Sequence, residues 1–343
     1  MTIEHASMRA MQKPWGSTDL LPWSEVRPDG AAIGELWFQR ANMSAPDPAL
    51  LLKLLFTTQP LSIQVHPDDA FARSIGLANG KTEAWYILSA APGAEVALGL
   101  RRQLSADELR DAIADGSIAD LVHWHAARKG DVFHVPAGTI HAIGAGLVIA
   151  EIQQSSDATF RLFDHGRGRE LHTDQALAAA VAGPAGARTA PRRLTEARTL
   201  LVATPYFVLE RADCAPKSNW DIDAGMETWL LVIEGHARVG SMNAFAGDAI
   251  FLDAEAATME VGGDGLRALL AYAGPEPAPG LLRNRDGQNV GFPQPPAPAT
   301  VPCHQARTGA PVAGTSSTGA SSPSPKSPSN PKSSPSPKSE MRP

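Results

Sequence analysis

The chain has little of what secreted and membrane-spanning proteins depend on. Its 343 residues include two cysteines, Cys214 and Cys303, which lie far apart in the sequence. This scarcity argues against a disulfide framework and a cysteine-rich zinc site. No stretch approaches the roughly 20 apolar residues that a membrane-spanning helix needs, and the N-terminus lacks the apolar core of a secretory signal. We therefore expect a protein of the reducing cytoplasm.

The chain also lacks a strong excess of positive or negative charge and a glycine-rich loop that could bind phosphate. The formal net charge is −6 and charged residues make up 19% of the chain, which argues against nucleic acid or an anionic membrane as the main partner. No loop of the P-loop type is present, so we expect no nucleotide site. The hydrophobic content of 43% is enough for two small domains or one elongated tandem unit with a sizeable core.

A histidine, an acid and a second histidine stand in three strand-like segments. They are His66 in LSIQVHPDD, Glu83 in GKTEAWYIL and His141 in GDVFHVPAGTIHAIG. Because successive side chains on a strand point to opposite faces, Gln64 emerges with His66, and Lys81 emerges with Glu83. Polar groups in a dry interior are costly unless they are paired or bound to an ion. The spacings therefore predict one metal-bearing β-barrel.

The ligand types and spacings resemble a cupin metal centre. Gln64-x-His66 followed by Glu83 resembles the first cupin motif, with Gln in place of the usual first His, and Gly-x5-Pro-x-Gly-x2-His, which ends at His141, resembles the second. Two neutral imidazoles and one carboxylate suit catalytic Zn²⁺, but non-haem Fe²⁺ and Mn²⁺ accept similar ligands. The ligands alone therefore leave the metal open.

Six motifs in one order carry a closer resemblance. In chain order they are KPWG, LSIQVHPDD, GKTEAWYIL, VPAGTIHAIG, EIQQSSDATFRLFD and RELH. Together they resemble the mannose-6-phosphate isomerases of the short bacterial type, over about residues 13–272. The resemblance implies a mainly β fold of tandem cupin jelly-roll barrels (double-stranded β-helices) with a few decorating helices. It also implies a zinc-dependent aldose-ketose isomerase, with one Zn²⁺ per chain, that interconverts mannose 6-phosphate and fructose 6-phosphate.

The same resemblance implies roles for individual residues. The zinc ligands fall on His66, Glu83 and His141, with Gln64 matching a further ligand of the longer relatives. The catalytic arginine falls on Arg161.

Lys81 and Glu151 match polar positions that line the family's pocket. A reaction that moves a proton between C1 and C2 of the open-chain sugar, through a cis-enediol, needs a base and stabilisation of a developing oxyanion. We assign electrostatic roles to Arg161 and Lys81, and the role of base to Glu151 or a water on the metal.

The substrate phosphate needs cationic donors away from the metal. The matched region offers Lys53, Lys81, Arg161 and Arg167, and the sequence does not choose among them.

Simpler interpretations compete with several of these assignments, since exposed polar residues are ordinary. Lys81 could be a solvated turn residue, and Arg161 could pair with Asp157 or Asp164 on a loop. His123-Trp124-His125 could mimic a metal pair, but no carboxylate follows it at cupin spacing. We therefore predict surface or pocket-rim histidines there and a packed Trp124.

Three positions depart from the family pattern. His134 and His165 replace residues that are usually aromatic or aliphatic, and we expect packed imidazoles at both. The stretch IGELWFQR leaves the substrate contacts of residues 35–40 open.

Hydrophobic alternation and turn residues predict the elements of the first barrel. A capping box from Ser105 to Glu108 opens a helix to about Ala114, and Asp174 caps a second helix that ends at Ala182. The predicted strands are 49–56, 61–66, 84–88, 131–136 and 147–153.

The chain divides into three predicted regions. Residues 1–186 form the catalytic metal-binding cupin domain with helical decoration, and residues 187–275 form a second, metal-free cupin-like domain. In the second domain the strands are 206–210, 228–234 and 249–252, Gly235 marks a turn, and His236 is a turn residue. Residues 276–343 are a Pro/Ser/Lys-rich disordered tail, because their composition cannot bury enough apolar surface.

Three rival functions remain. One is a cupin isomerase or epimerase acting on another phosphorylated sugar, the second is a non-catalytic sugar-binding cupin, and the third is a redox cupin that uses Fe²⁺. Arg161 beside all three ligands argues against the second, and the flanking motifs argue against the third. We expect a small-molecule phosphosugar as partner, no nucleic acid or membrane, and a monomer or weak homodimer.

Overall fold

The computed structural model describes residues 2–26, 30–42 and 44–287. Within these ranges the chain is built mainly from antiparallel strands with four short helices. This confirms the predicted mainly β fold with a few helices, and the tandem arrangement of two barrels stays a prediction. None of the helices in the described ranges has the length and apolar character needed to cross a membrane.

The first half of the chain contributes twelve strands. They are β1 (Thr2–His5), β2 (Ser7–Ser17), β3 (Ile33–Gln39), β4 (Leu50–Thr57), β5 (Ile63–Val65), β6 (Glu83–Ala90), β7 (Glu95–Leu100), β8 (Val122–Ala126), β9 (Val132–Val135), β10 (His141–Ile143), β11 (Leu147–Gln154) and β12 (Phe160–Phe163).

The second half contributes nine more strands. They are β13 (Arg192–Arg193), β14 (Arg198–Ala203), β15 (Phe207–Cys214), β16 (Asn219–Ala224), β17 (Thr228–Val239), β18 (Met242–Phe245), β19 (Ala249–Asp253), β20 (Glu255–Ala273) and β21 (Leu282–Asn284). The helices are α1 (Asp69–Ser74), α2 (Ala106–Asp115), α3 (Ile118–Leu121) and α4 (Thr173–Ala179).

Eleven of these strands form two sheets that enclose the site described below. The six-stranded sheet has the order β2-β3-β4-β11-β6-β9, and the five-stranded sheet has the order β12-β5-β10-β7-β8. An apolar cluster with members on both sheets joins them, including Leu55, Trp85, Leu98 and Ile143. The polar residues of the candidate site lie on the facing surfaces of the same two sheets.

Strict alternation gives the six-stranded sheet two different faces. On β4, Leu52 and Leu54 belong to the large core shared with the second half of the chain. Their neighbour Lys53 lines the cavity on the opposite face, because side chains alternate along a strand. A shift of register by one residue would therefore exchange the core face and the site face.

A ten-stranded sheet covers the outer, apolar face of the six-stranded sheet. Its main path is β1-β19-β17-β20-β15-β14-β13, with β16, β18 and β21 attached. Trp229 of β17 packs in the shared core and donates from Nε1 to the carbonyl of Leu50 at 3.2 Å. The Glu227 carboxylate accepts hydrogen bonds from the N–H groups of Ala49 and Leu50 at 2.8 and 3.0 Å. Apolar burial and polar bonds thus hold the two sheets together.

The predicted helices are present, with one correction. The Ser105 side chain accepts from the Glu108 N–H, the Glu108 carboxylate accepts from the Ser105 N–H, and α2 begins at Ala106. The prediction that Asp174 caps a helix ending at Ala182 was wrong at both ends, because His172 is the N-cap, Asp174 lies in the first turn and α4 ends at Ala179. The His172 N–H donates to the Arg161 carbonyl at 2.9 Å. This hydrogen bond holds His172 against β12, so the helix begins directly after His172.

The predicted turn at Gly235 and His236 was also wrong. Strand β17 continues from Thr228 to Val239 through an irregularity in its pairing with β20. Gly235 has a φ of +76°, and a Cβ there would lie 1.9 Å from the Gly265 carbonyl oxygen. The glycine therefore permits close approach of two strands within the sheet, and the His236 ring stacks on Phe245.

The division into domains at residues 186 and 275 stays a prediction. Strand β1 of the N-terminus pairs with β19 in the ten-stranded sheet, and β21, which falls in the predicted tail, pairs with β16. Leu281 and Leu282 are buried, which gives this segment an apolar anchor. Residues 288–343, with the rest of the predicted tail and Cys303, lie outside the described residues.

One ion pair in the ten-stranded sheet is fully buried. Arg198 donates from Nε and Nη2 to the two carboxylate oxygens of Glu210 at 2.7 and 2.8 Å. The Tyr272 hydroxyl donates to the same carboxylate at 2.5 Å, and Arg198 also donates to the carbonyl of Pro279 at 3.2 Å. A buried charge that loses its partner is strongly destabilising.

We expect Arg198→Met to lower the free energy of unfolding by about 3–5 kcal/mol, because Glu210 would remain buried without its counter-charge. Urea denaturation of the purified variant measures this loss. The control is Arg238→Met, which removes an exposed pair with Glu260 and should cost no more than about 1 kcal/mol. Equal losses in the two variants would contradict the assigned role of the buried pair.

Candidate active site

A cavity of about 270 Å³ opens between the six-stranded and five-stranded sheets. Its lining is strongly polar and holds more cationic than acidic side chains. The cationic ones are Lys13, Lys53, Lys81, Arg161 and Arg169, and the acidic ones are Glu35, Glu151 and Asp157. Such a lining suits a small anionic ligand.

The three residues singled out in the sequence meet beside this cavity. His66 follows β5, Glu83 begins β6, and His141 begins β10. All three are buried, and one ligand atom from each lies within 4.8 Å of the other two. The Glu83 oxygens lie 3.4 Å from His66 Nε2 and 3.5 Å from His141 Nε2. This is the one group of three or more such side chains with metal-site spacing within the described ranges.

Backbone hydrogen bonds fix the orientation of both imidazoles. His66 Nδ1 donates to the Ala158 carbonyl at 2.7 Å, and His141 Nδ1 donates to the Thr139 carbonyl at 2.8 Å. Each ring therefore turns an unprotonated Nε2 toward Glu83. A metal-binding histidine is usually held by such a bond from its other nitrogen.

The electrostatics keep the ligand atoms in the forms that bind a cation. Burial and the nearby Lys81 lower the pKa of His66 to about 3, and burial also lowers the pKa of His141. Burial alone would raise the pKa of Glu83, but the Lys81 ammonium holds it well below its usual range. At neutral pH the site therefore presents two neutral imidazoles and a carboxylate.

Glu83 provides the structural test of whether a metal fits. Neither of its buried oxygens accepts a well-formed hydrogen bond from any described residue, and the Lys81 ammonium lies 3.1 Å from Oε2. A buried carboxylate with this little compensation is costly. A divalent cation coordinated by Glu83 and the two Nε2 atoms would remove that cost, so the residues fit a metal of the zinc type.

Gln64 and Lys81 adjoin this group from the cavity side. The Gln64 amide nitrogen lies 3.2 Å from His141 Nε2, and its oxygen accepts from the Ser62 hydroxyl at 3.1 Å. Rotation of the amide by about 180° would turn its oxygen inward for a cation. The Lys81 ammonium lies 3.2 Å from His66 Nε2. Lys81 is buried, not solvated in a turn, and although burial opposes its charged form, Glu83 and Glu151 raise its pKa.

Glu151 lies on the adjacent strand β11 and is also buried. Its Oε1 is 3.4 Å from the Lys53 ammonium, and its Oε2 accepts from Trp85 Nε1 at 3.1 Å. Burial and the negative charge of Glu83 raise the pKa of Glu151. A carboxyl group with a raised pKa can accept and return a proton nearer neutral pH than an exposed one.

Arg161 lies on β12, with its Nε buried and without a hydrogen-bond partner among the described residues. It does not pair with Asp164, whose carboxylate instead binds Arg167 and Arg169. Burial and the neighbouring charge of Arg169 lower the pKa of Arg161. The guanidinium groups of Arg161 and Arg169 thus both line the cavity, and Arg169 forms an ion pair with Asp164.

Sequence reasoning gave no role to the cavity residues Lys13, Arg169 and His172, and it left the contacts of Glu35 open. Lys13 lies in the KPWG motif, and Arg169 and His172 are the first and last residues of RELH, so the motifs carried the signal without assigning the roles. Arg167, one of the four proposed phosphate contacts, bonds to Asp164 and the Pro60 carbonyl and does not line the cavity.

None of the other histidines in the described ranges belongs to the His66–Glu83–His141 group. His123 and His125 form a ring pair with centroids 4.2 Å apart on β8, where His123 is exposed and Trp124 packs against the apolar cluster. His165 is exposed, so the prediction of a packed imidazole there was wrong, and its Nε2 donates to the Leu61 carbonyl at 2.9 Å. The Nε2 of His134 is buried without a partner among the described residues.

The fold and the site define an antiparallel β protein with a buried His-Glu-His group that could hold a metal ion beside a cationic cavity. No family model matches the chain. Over 168 residues it is 43% identical to a mannose-6-phosphate isomerase of Streptococcus mutans, covering 47% of this chain and 53% of that protein. It is also 36% identical over 159 residues to mannose-6-phosphate isomerase ManA of Bacillus subtilis, covering 43% and 50% of the two chains. The chain thus spans about half the length of the curated relatives it matches.

Solved structures extend the similarity over more of the chain. The mannose 6-phosphate isomerase of Bacillus subtilis superposes with a TM-score of 0.69 and 26% identity, covering 79% of this chain and all of that one. A putative mannosephosphate isomerase of Archaeoglobus fulgidus, 17% identical with a TM-score of 0.63 over 79% of this chain and 97% of that one, shares the fold. These findings confirm the resemblance to mannose-6-phosphate isomerases that the six motifs indicate.

We expect His141→Ala to weaken Zn²⁺ binding by more than the about 10–100-fold that loss of a supporting residue costs, because it removes a direct ligand atom. Elemental analysis after equilibrium dialysis against buffered zinc measures the change. His125→Ala is the control, since it removes a histidine of the β8 pair and should leave the tight site intact. Loss of tight zinc in the control but not in His141→Ala would place the metal elsewhere.

Proposed function

We propose that the protein is a zinc-dependent aldose-ketose isomerase that interconverts mannose 6-phosphate and fructose 6-phosphate. The observation that carries this proposal is the buried His66–Glu83–His141 group, whose neighbours Gln64 and Lys81 line a cavity with five cationic side chains. The similarity to mannose-6-phosphate isomerases supports the choice of substrate.

The proposed zinc ligands are Nε2 of His66, Nε2 of His141 and the carboxylate of Glu83, with the amide oxygen of Gln64 as a further ligand. One Zn²⁺ per chain is expected, since one such group is present among the described residues. When bound, zinc supplies positive charge that stabilises a sugar oxygen as it gains negative charge, without redox side reactions.

Glu151 is the proposed group that takes the proton from one sugar carbon and returns it to the next. Its burial beside the cavity and its raised pKa suit a carboxylate that must be both a base and, once protonated, an acid. The hydrogen bond from Trp85 and the Lys53 ion pair leave it held at both oxygens. The other two acids that line the cavity, Glu35 and Asp157, do not bond to both Lys53 on β4 and Trp85 on β6.

Lys81 and Arg161 are the proposed electrostatic groups. Lys81 lies next to Glu83 and His66, where its ammonium stabilises negative charge on the cis-enediol. Arg161 and Arg169 together offer two guanidinium groups for the anionic substrate, and planar guanidinium groups match phosphate oxygens well. Arg161 stays charged although its Nε is buried, because a guanidinium does not lose its proton in proteins.

The remaining partners and the location are proposals of the same kind. The substrate would be a small phosphosugar, with no nucleic acid or membrane partner, and the enzyme would act in the cytoplasm as a monomer or weak homodimer. Cys214 is buried and forms no disulfide with any described residue, which fits a reducing compartment.

The first test is a coupled assay of the full-length protein on mannose 6-phosphate. We expect turnover in the protein as purified, its loss after chelation, and its return when Zn²⁺ is added back. His141→Ala should stay inactive in all three states. Zinc binding without turnover would contradict the assigned substrate and favour an isomerase or epimerase on another phosphorylated sugar, or a sugar-binding protein.

A second test addresses Glu151. We expect Glu151→Gln to lower kcat about 10²–10⁴-fold, the usual contribution of general acid–base catalysis, because the amide cannot take up the proton. Bound zinc should be unchanged, since Glu151 is not among the proposed ligands. Glu260→Gln, at an exposed acid on β20, is the control with unchanged turnover. Near-normal turnover of Glu151→Gln would show that another group moves the proton.

A further inference from the structure

Neighbouring strands of the six-stranded sheet place alternating charges along one edge of the cavity. Lys13 lies on β2, Glu35 on β3, Lys53 on β4 and Glu151 on β11, and these four strands are consecutive in the sheet. All four side chains line the cavity. The order of charges is therefore positive, negative, positive, negative from the edge strand toward Glu151.

Direct contacts connect the members of this row in pairs. The Lys13 ammonium lies 3.3 Å from Glu35 Oε1, and the Lys53 ammonium lies 3.4 Å from Glu151 Oε1. Lys53 and Glu151 are also direct cross-strand partners in the register of β4 and β11. Both side chains are about 95% buried or more, so solvent screens the pair little.

Trp37 joins the two pairs. Its Nε1 donates to Glu35 Oε2 at 2.6 Å, and the Lys53 ammonium lies 4.6 Å from the centroid of its ring. A cation over an indole face is attracted by the ring electrons. Glu35 thus holds the indole, and the indole supports Lys53 from the side away from Glu151.

Glu35 itself is held in its anionic form. Burial alone would raise the pKa of its carboxyl, but Lys53 and Lys13 outweigh burial and lower it. Lys53 therefore lies between two acids, and neither Glu35 nor Lys53 has a role in the proposed metal site.

We propose that Lys53 is a positioning residue for Glu151, and that Glu35 and Trp37 hold Lys53 in the orientation that this role requires. Lys53 fixes Oε1 of Glu151 while Trp85 fixes Oε2, so two contacts on different strands define the plane of the carboxylate. With Lys53 removed, the carboxylate would keep only the hydrogen bond from Trp85, and it would rotate about that contact. The inference rests on the proposed function, in which Glu151 moves the proton.

The expected effect is on the chemical step more than on substrate binding. A misplacement of a reacting group by about 1 Å can cost about 100-fold in rate. We expect Lys53→Met to lower kcat about 100-fold with KM within about threefold of wild type, because the anionic substrate keeps Arg161, Arg169 and Lys81. Lys53→Arg should recover at least about tenfold of that loss, since a guanidinium can still reach Glu151.

Lys129→Met is the matched control. Lys129 forms an exposed ion pair with Glu234 at 2.7 Å, so its loss removes a lysine–glutamate pair that does not line the cavity. Its kcat and KM should match wild type. An equal fall in kcat in Lys53→Met and Lys53→Arg, or a fall expressed only in KM, would overturn the positioning role.

A double-mutant cycle tests whether Glu35 acts through Lys53. We expect Glu35→Gln to lower kcat about tenfold in the wild-type background and less than about twofold in Lys53→Met, because residues that act on one group are not additive. Full additivity of the two changes would overturn the link through Trp37.

A structural readout separates this inference from the proposed function. Crystals of Lys53→Met should show the Glu151 carboxylate rotated from its wild-type orientation while the His66–Glu83–His141 group is unchanged. If wild type has no turnover on mannose 6-phosphate, the proposed function fails, and these crystals still decide the inference. A Glu151 carboxylate in its wild-type orientation without Lys53 would overturn it.

Discussion

A carboxylate buried between two β-sheets is the constraint on which the site depends. Glu83 is 1% exposed and lacks a well-formed hydrogen bond from any described residue at either oxygen, a state that isolated burial makes costly. Two imidazoles whose outer nitrogens are tied to carbonyls present their free nitrogens to it, and one lysine stands against it. These contacts of the two imidazoles and the lysine are those expected around a site that binds a cation.

The sheets supply this environment through their alternation. The face of β4, β6 and β11 that carries Leu52, Leu54 and Ile152 enters the core shared with the ten-stranded sheet. The opposite face carries Lys53, Glu151 and other cavity residues. The ten-stranded sheet thus stabilises the site indirectly, because it buries one face of the strands whose other face bears the polar groups. Alternate residues of the same strands therefore pack in the core and line the cavity.

Much of this arrangement could be predicted from the sequence. The features that could not be predicted have a physical cause in common, which is contact between distant parts of the chain. His66, Glu83 and His141 were recognisable because their motifs fix local turns and strand starts, and the capping box of α2 is a local signal as well. The contacts of Lys53 with Glu151 and of Asp164 with Arg169 depend on sheet order and loop path, which no short motif contains. The cap of α4 and the course of β17 through Gly235 were mispredicted for the same reason, since a distant backbone partner decided each. The roles of the site residues and the division into domains stay predictions.

The most direct test of the account is a crystal structure of the zinc-loaded protein, with the metal located by its anomalous signal at the zinc edge. We expect a single strong site in the described region, with His66 Nε2 and His141 Nε2 at about 2.0–2.1 Å and a Glu83 oxygen at about 2.0–2.2 Å from the ion. We also expect the Lys81 ammonium to move away from Glu83, because the cation takes its place as counter-charge. Zinc bound at His123 and His125, with the His66–Glu83–His141 group free of metal, would contradict it.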